Sequence, residues 1–229
     1  MTPDIVVPPG WYGKLSSLGD FASRRLAPAW TDACDEWLSA CISSSRAQLG
    51  DRWLETYLSA PVWRFAWAPE VIDQQWWFGV LMPSCDNVGR YFPLLIAQPR
   101  QHAPLDRVGL DHLELWWRHV SRAAMQTLHD QSSVQSFEAE LAEAPAWPSE
   151  LVPGETMTTP SDGFWRFQVG ASSGLVDLMT HWGSKLMLDR LTGCSIWWPT
   201  VEVGHESTMT VSLGLPAAER FSDLLNGRW

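Results

Sequence analysis

Residues near the start of the chain have the types that a phosphate-binding loop uses. Gly13 and Lys14 stand together, but such a loop also needs a glycine five positions before Gly13 and a serine or threonine after the lysine. Those positions hold Pro8 and Leu15, and proline lacks the backbone N–H that would bind a phosphate. The sequence therefore predicts no nucleotide site here.

Ser17 and Cys85 are the two candidate nucleophiles, since both stand in short polar loops. A hydroxyl or thiol nucleophile needs an adjacent base, and triads assemble from distant residues, so a hydrolase using Ser17 or Cys85 stays an alternative. No Gly-x-Ser-x-Gly elbow occurs, and the six histidines form no zinc-binding pair. Turn formation by short polar side chains is the favoured interpretation. We therefore expect no enzyme, no metal and no cofactor.

Charged residues beside glycine or aromatic residues are the better candidates for function. The planar fork of arginine suits bidentate binding of carboxylates and phosphates. The alternative is internal pairing of Arg64 or Arg90, with Asp20 or Asp86 as the carboxylate. The candidate partner-binding residues are Lys14, Asp20, Arg24, Arg25, Arg64 and Arg90.

The overall charge restricts the kind of partner. The net charge is −10 and no run of basic residues occurs, so nucleic-acid binding is disfavoured. Binding to an anionic membrane surface is disfavoured for the same reason. The acidic groups Glu138, Glu140 and Glu143 are interpreted as a solvent-facing side of a helix.

Several features favour the cytoplasm. The first residues lack the charged and apolar regions of a secretory signal. No apolar stretch is long enough for a transmembrane helix, so no membrane insertion is expected. Four cysteines without a Cys-x-x-Cys spacing fit a reducing compartment.

Apolar periodicity predicts the helices that must position these side chains. A strong amphipathic pattern from Trp30 to Ile42 predicts a helix that ends near Gly50. Asp51 is expected to cap a second, short helix. Further helices are predicted over 110–129 and from Ser133 to about residue 144.

Three apolar segments predict strands at Val62–Ala68, Trp76–Met82 and Arg90–Ala97. Their short connections predict an antiparallel meander, because a parallel crossover needs a dozen or more residues. Pro93 cannot donate a ladder hydrogen bond, so the third strand is expected to be an edge strand or to carry a bulge. A further short strand is predicted at residues 10–14.

The last third of the chain is expected to complete the same sheet, so residues 1–229 form one domain with a long loop at 145–163. The predicted fold is α+β, with a largely antiparallel central sheet and helices packed on it, in the order β-α-α-β-β-β-α-α-β-α-β-β-α. The elements predicted after the loop are a strand at Phe164–Val169, a helix over 175–186, strands at Cys194–Trp198 and Met209–Leu213, and a last helix from Pro216 to near Asn226.

Sixteen tryptophans are unusual for a chain of 229 residues. Because tryptophan buries a large area, most of them are expected in the core. The alternative is that some are surface anchors for a partner, with Trp197, Trp198 and Trp229 as the candidates.

Three ordered sequence blocks stand out: Gly10–Leu15 with Gly19–Phe21 and Arg24–Arg25, then Ala60–Phe65, then Pro83–Leu94. Together they resemble the TagF family, also called ImpM, which is associated with bacterial type VI secretion. One departure is Ser16, where the family pattern has proline.

The resemblance implies a cytoplasmic, post-translational repressor of type VI secretion. Family members are associated with the forkhead-associated scaffold protein of the apparatus and with its threonine kinase and phosphatase pathway. No catalytic residues come with the family. A structural subunit of the apparatus is the remaining alternative, and the oligomeric state stays open.

Overall fold

The computed structural model describes residues 7–104, 106–147, 183–184, 186–200 and 208–228. Within these ranges, no helix is both long and apolar enough to cross a bilayer.

Several predicted elements lie wholly or mostly outside the described residues. The loop predicted at 145–163 is described only as far as residue 147, and the strand predicted at 164–169 is outside altogether. Of the helix predicted over 175–186, only residues 183, 184 and 186 are described, and all three are helical. Trp229 is also outside the described part of the chain.

A seven-stranded sheet forms the centre of the protein, and every neighbouring pair of strands is antiparallel. Its spatial order is β2-β1-β5-β4-β3-β6-β7. The strands are β1 Gly10–Gly13, β2 Ala22–Arg24, β3 Trp63–Trp67, β4 Trp76–Met82, β5 Leu94–Arg100, β6 Cys194–Pro199 and β7 Thr210–Leu213.

The predicted meander is confirmed, because β3 pairs with β4 and β4 pairs with β5. The prediction of an edge position or bulge at Pro93 is wrong. Pro93 lies just before β5, and that strand is interior, between β4 and β1. A second proline, Pro99, is tolerated within β5 because β1 pairs only with Leu94–Ala97, so among the described residues no strand on that side needs its N–H.

Helices cover both faces of the sheet, so the α+β prediction is confirmed in a three-layer form. The helices are α1 Pro28–Leu49, α2 Trp53–Ser59, α3 Arg107–Gln126, α4 Val134–Ala142 and the C-terminal helix Phe221–Leu225. On one face, α1, α2 and the C-terminal helix pack on Trp67 and Trp197. On the other, α3 and α4 pack on Phe78 and Ile96.

Burial on both faces explains why the central strands are apolar throughout rather than alternating. Every residue of β4 is buried. Gly79 allows close packing there, since a Cβ would lie 2.2 Å from the Ile96 carbonyl oxygen and 2.4 Å from the Phe65 ring. On the other face, Trp117 Nε1 donates a hydrogen bond of 3.0 Å to the Gly79 carbonyl and anchors α3 to the sheet.

Local signals set the ends of the helices. Pro28 occupies the first turn of α1, where its missing N–H is harmless. Ser133, where the sequence predicts this helix to begin, caps α4 and exchanges hydrogen bonds with Ser136 in a capping box. The prediction that Asp51 caps α2 is wrong, because Gly50–Arg52 forms a 3₁₀ turn that continues directly into the helix, whose N-cap is Arg52.

Most of the described tryptophans are buried, as predicted. The proposed anchor Trp197 is fully buried and packs against Trp37 and Trp67, so its assignment to the surface is wrong. Its side chain alternates with the half-buried Trp198, which packs edge-to-face on Trp117 on the opposite face of the sheet.

Candidate functional site

Two loops from distant sequence blocks join beside the end of β1. The loop after β1 accepts a hydrogen bond of 2.9 Å at the Leu18 carbonyl from the Asn87 N–H. Ser84 Oγ donates to the Lys14 carbonyl at 2.8 Å. The Tyr57 hydroxyl of α2 donates to the Ser84 carbonyl at 2.9 Å and accepts from the Ser84 N–H at 3.0 Å. The first and third family-like blocks are thereby joined, and α2, which precedes the second block, is bonded to the third.

The conformation of β1 at this junction requires glycine. Gly13 has φ +132°, which side-chain-bearing residues rarely adopt. A Cβ there would also lie 2.1 Å from the Pro93 carbonyl oxygen. The glycine that suggested a phosphate loop is therefore needed for strand packing.

Asp86 is the centre of the joined loops and is only 2% exposed. Its Oδ2 accepts from Lys14 Nζ and from Arg90 Nε, each at 2.7 Å. Its Oδ1 accepts from the N–H groups of Val88 and Arg90, at 3.1 and 2.8 Å. Burial alone would raise the pKa of Asp86, but the hydrogen bonds from Lys14 and Arg90 hold it far below its usual range.

Lys14 is committed to this network. It is 3% exposed. Its Nζ donates to Asp86 and lies 4.1 Å from the centroid of the Phe21 ring. A cation between a carboxylate and a ring face is well stabilised. Lys14 is thus a positioning residue for the loops, inaccessible to a partner on the surface.

Arg90 binds the buried Asp86, but its side chain is also 56% exposed to solvent. Its Nε donates to Asp86. Its Nη2 donates to the Gly19 carbonyl and lies 3.9 Å from Asp20. The expected internal pairing of Arg90 with Asp86 and Asp20 is therefore observed. Asp20 itself is 83% exposed, so its contact with Arg90 is weak and screened by solvent.

Arg24 and Arg25 both approach Glu138 of α4. Arg25 forms the closer pair, with Nη1 and Nη2 at 2.6 and 3.1 Å from the two carboxylate oxygens. Glu138 Oε1 also accepts from Trp11 Nε1 at 2.5 Å. Burial would raise the pKa of Glu138, but hydrogen bonds from Arg25 and Trp11 and the nearby Arg24 charge lower it.

The interpretation of Glu138 as solvent-facing is therefore wrong. Its side chain is only 18% exposed. The sequence carried a signal for this, because Val134, Phe137, Glu138 and Leu141 follow the i, i+3, i+4, i+7 spacing of a buried helix face. An acid in such a stripe predicts a buried partner.

Arg64 lies apart from the joined loops. Its Nη1 is 2.9 Å from both oxygens of Glu114 in α3, so the alternative of internal pairing holds for Arg64, with Glu114 as the carboxylate in place of Asp20 or Asp86. The sheet order places β3 three strand spacings from β1, or roughly 14 Å. The side chain of Arg64 also points to the α3 face of the sheet.

The two candidate nucleophiles have no activating neighbours among the described residues. No histidine in those parts of the chain hydrogen-bonds Ser17 or Cys85. Burial, and then the adjacent Asp86 charge, raise the pKa of the Cys85 thiol, whereas a reactive cysteine has a lowered pKa. The described residues also contain no cluster of three or more metal-ligating side chains.

The geometry defines a class of protein: a three-layer α+β domain whose motif residues hold two loops together and leave a few charges exposed beside them. A family model described as "TagF N-terminal domain, Type VI secretion system-associated" matches residues 10–144. The chain belongs to the TagF family and is a type VI secretion-associated protein.

A solved structure supports this assignment along the whole chain. The crystal structure of PA0076 from Pseudomonas aeruginosa PAO1 is similar at 32% sequence identity and a TM-score of 0.75. The similarity covers 96% of this chain and 94% of that chain. A comparison with curated proteins finds no match to this sequence.

Proposed function

We propose that the chain is a post-translational repressor of type VI secretion that acts in the cytoplasm by binding the forkhead-associated scaffold protein of the apparatus. The match of residues 10–144 to a type VI secretion-associated family carries this proposal. The partner and the direction of regulation come from the family resemblance of the three sequence blocks.

Binding without catalysis is favoured by how the charges are used. Lys14 and Asp86 are buried together, and Arg25 is engaged by Glu138. The exposed groups beside them are three charged side chains, Asp20, Arg24 and Arg90, and the half-exposed ring of Phe21. Arginine and aromatic residues are enriched at protein interfaces, so this edge of the sheet suits a partner surface.

A secretion assay in cells tests the direction of regulation. Deletion of the protein should increase type VI secretion under conditions in which it is normally silent, and overexpression should decrease it. Loss of secretion on deletion would identify a structural subunit and contradict repression.

A pull-down with the purified scaffold tests the partner. Wild type should retain the scaffold, and Arg24→Ala should retain less. Arg107→Ala is the matched control, because Arg107 is 89% exposed on α3 and pairs only loosely with Asp111. A wild-type chain that does not bind the scaffold would contradict this partner assignment.

The hydrolase alternative has its own test. Ser17→Ala and Cys85→Ala should both leave repression and scaffold binding unchanged. Repression that disappears in one of these variants, while scaffold binding and folding persist, would favour an enzyme instead.

A further inference from the structure

A cleft of about 720 Å³ opens between β2 and the first turns of α4. Its size falls within the range of ligand-binding clefts. We call it the edge cleft, and its lining includes Trp11, Leu18, Ala22, Arg24, Val134 and Glu138.

The strand register brings Arg24 into the edge cleft. Arg24 lies opposite Trp11 in the β1–β2 pair, and opposed residues of paired strands point to the same face of a sheet. Trp11 packs on Phe137 of α4, with ring centroids 5.6 Å apart. The Arg24 side chain therefore projects toward α4, above an apolar floor that includes Leu18 and Ala22.

The outer side of the edge cleft is an unpaired strand edge. β2 ends the sheet, and within the described ranges no strand lies beyond it. Alternate residues of such a strand turn their N–H and C=O groups outward, where an added strand can pair with them. β2 has three residues and is followed by Arg25 at φ +59°, so it offers pairing to only a short extended segment.

The charge balance of the edge cleft selects the kind of segment. The Glu138 oxygens are already used by Trp11 and Arg25, and Arg24 approaches no closer than 3.8 Å. The Arg24 side chain donates no hydrogen bond to any described residue and is 53% exposed. Two guanidinium groups against one carboxylate leave a surplus of one positive charge on a protein whose net charge is −10.

A carboxylate matches that surplus better than a phosphate does. An aspartate or glutamate side chain carries one negative charge and forms a bidentate pair with arginine. A phosphorylated residue carries about −1.5 to −2 at neutral pH, which would leave the edge cleft with excess negative charge beside Glu138.

We propose that the edge cleft receives an extended, acidic segment of the partner protein, which pairs with β2 as an added strand and places a carboxylate on Arg24. This inference rests on the proposed binding function. It adds the surface, the mode of recognition and the chemistry of the recognised segment.

Binding measurements with the scaffold and with short synthetic peptides that tile it test the charge requirement. Arg24→Glu should weaken binding by roughly tenfold or more, and Arg24→Gln, which avoids a second acid beside Glu138, by a smaller factor. The control Arg107→Glu should bind like wild type. Replacing the key acid of the bound peptide with lysine should abolish binding to wild type and restore binding to Arg24→Glu.

Hydrogen exchange locates the contact independently of any variant. The outward-facing amides within Ala22–Arg24 should become protected when the wild-type chain binds the scaffold. If the scaffold binds without protecting these amides, or binds Arg24→Glu with full affinity, the edge cleft is not the binding site. Either result would leave the proposed function standing. Binding only of phosphorylated peptides would overturn the choice of a carboxylate. No scaffold binding by wild type would overturn both proposals.

Discussion

Replacing Glu138 with alanine should destabilise the protein far more than its position on a surface helix suggests. The substitution removes the acceptor of Trp11 Nε1 and of Arg25 Nη1 and Nη2. Trp11 is fully buried, so its N–H is left without a partner, which costs about 1–3 kcal/mol. The Arg25 pair is partly exposed and adds about 1 kcal/mol or less. We expect a loss of roughly 1–4 kcal/mol in the free energy of unfolding.

A double-mutant cycle separates the two contributions. Trp11→Phe keeps an aromatic ring but removes the N–H donor, so Glu138→Ala should cost only about 1 kcal/mol in that background. The expected coupling between the two positions is about 1–3 kcal/mol. Urea unfolding, followed by far-UV circular dichroism, measures each of the four chains.

Glu140→Ala is the control. Glu140 lies on the same helix, and its ion pair with Arg122 is long, at 3.9 Å, and exposed to solvent. It reproduces the change in helix propensity without a buried donor and should cost less than about 1 kcal/mol. The reasoning is refuted if Glu138→Ala costs no more than Glu140→Ala. It is also refuted if the cost of Glu138→Ala is the same with Trp11 and with phenylalanine at that position.

Three further outcomes are expected. The folded-state pKa of Glu138 lies below its ordinary value of 4.5. The stability that its ionised form contributes is therefore present above pH 4.5 and is lost as the pH falls through the lowered pKa. In urea titrations, the stability difference between wild type and Glu138→Gln should shrink on acidification. Gly79→Ala places a methyl group 2.2 Å from the Ile96 carbonyl and should lower the free energy of unfolding by about 3 kcal/mol or more, or prevent soluble expression. Burial raises the pKa of Cys41 to about 12 and that of Cys34 still further, so neither thiol should react with Ellman's reagent until urea unfolds the chain; rapid reaction of either in the native protein would contradict this.

Local and periodic features of the fold could be predicted from the sequence. The apolar stripe of α1 repeats with the helical period, and Ser133 stands where a capping serine is expected. The three central strands follow one another with short turns, so their antiparallel pairing needed no long-range information. These features depend on residues close together in the chain.

Features that depend on distant parts of the chain could not be predicted in this way. Arg64 and Glu114 meet because α3 crosses the β3 side of the sheet, and no local pattern encodes that crossing. The interior position of β5 follows from β1, a strand more than 80 residues earlier, pairing with its free side. β2 is too short to produce a periodic signal.

The sequence blocks that identify the family contain residues with two different tasks, and burial separates them. Lys14 and Asp86 hold the loops together from inside the protein, so a loss of partner binding on mutating either one would follow from misplaced loops and would not show contact. The Arg24 side chain makes no hydrogen bond to the described residues, and its neighbour Arg25 already neutralises Glu138. The fold therefore does not depend on Arg24, and a binding defect in a folded Arg24 variant reports on contact with the partner.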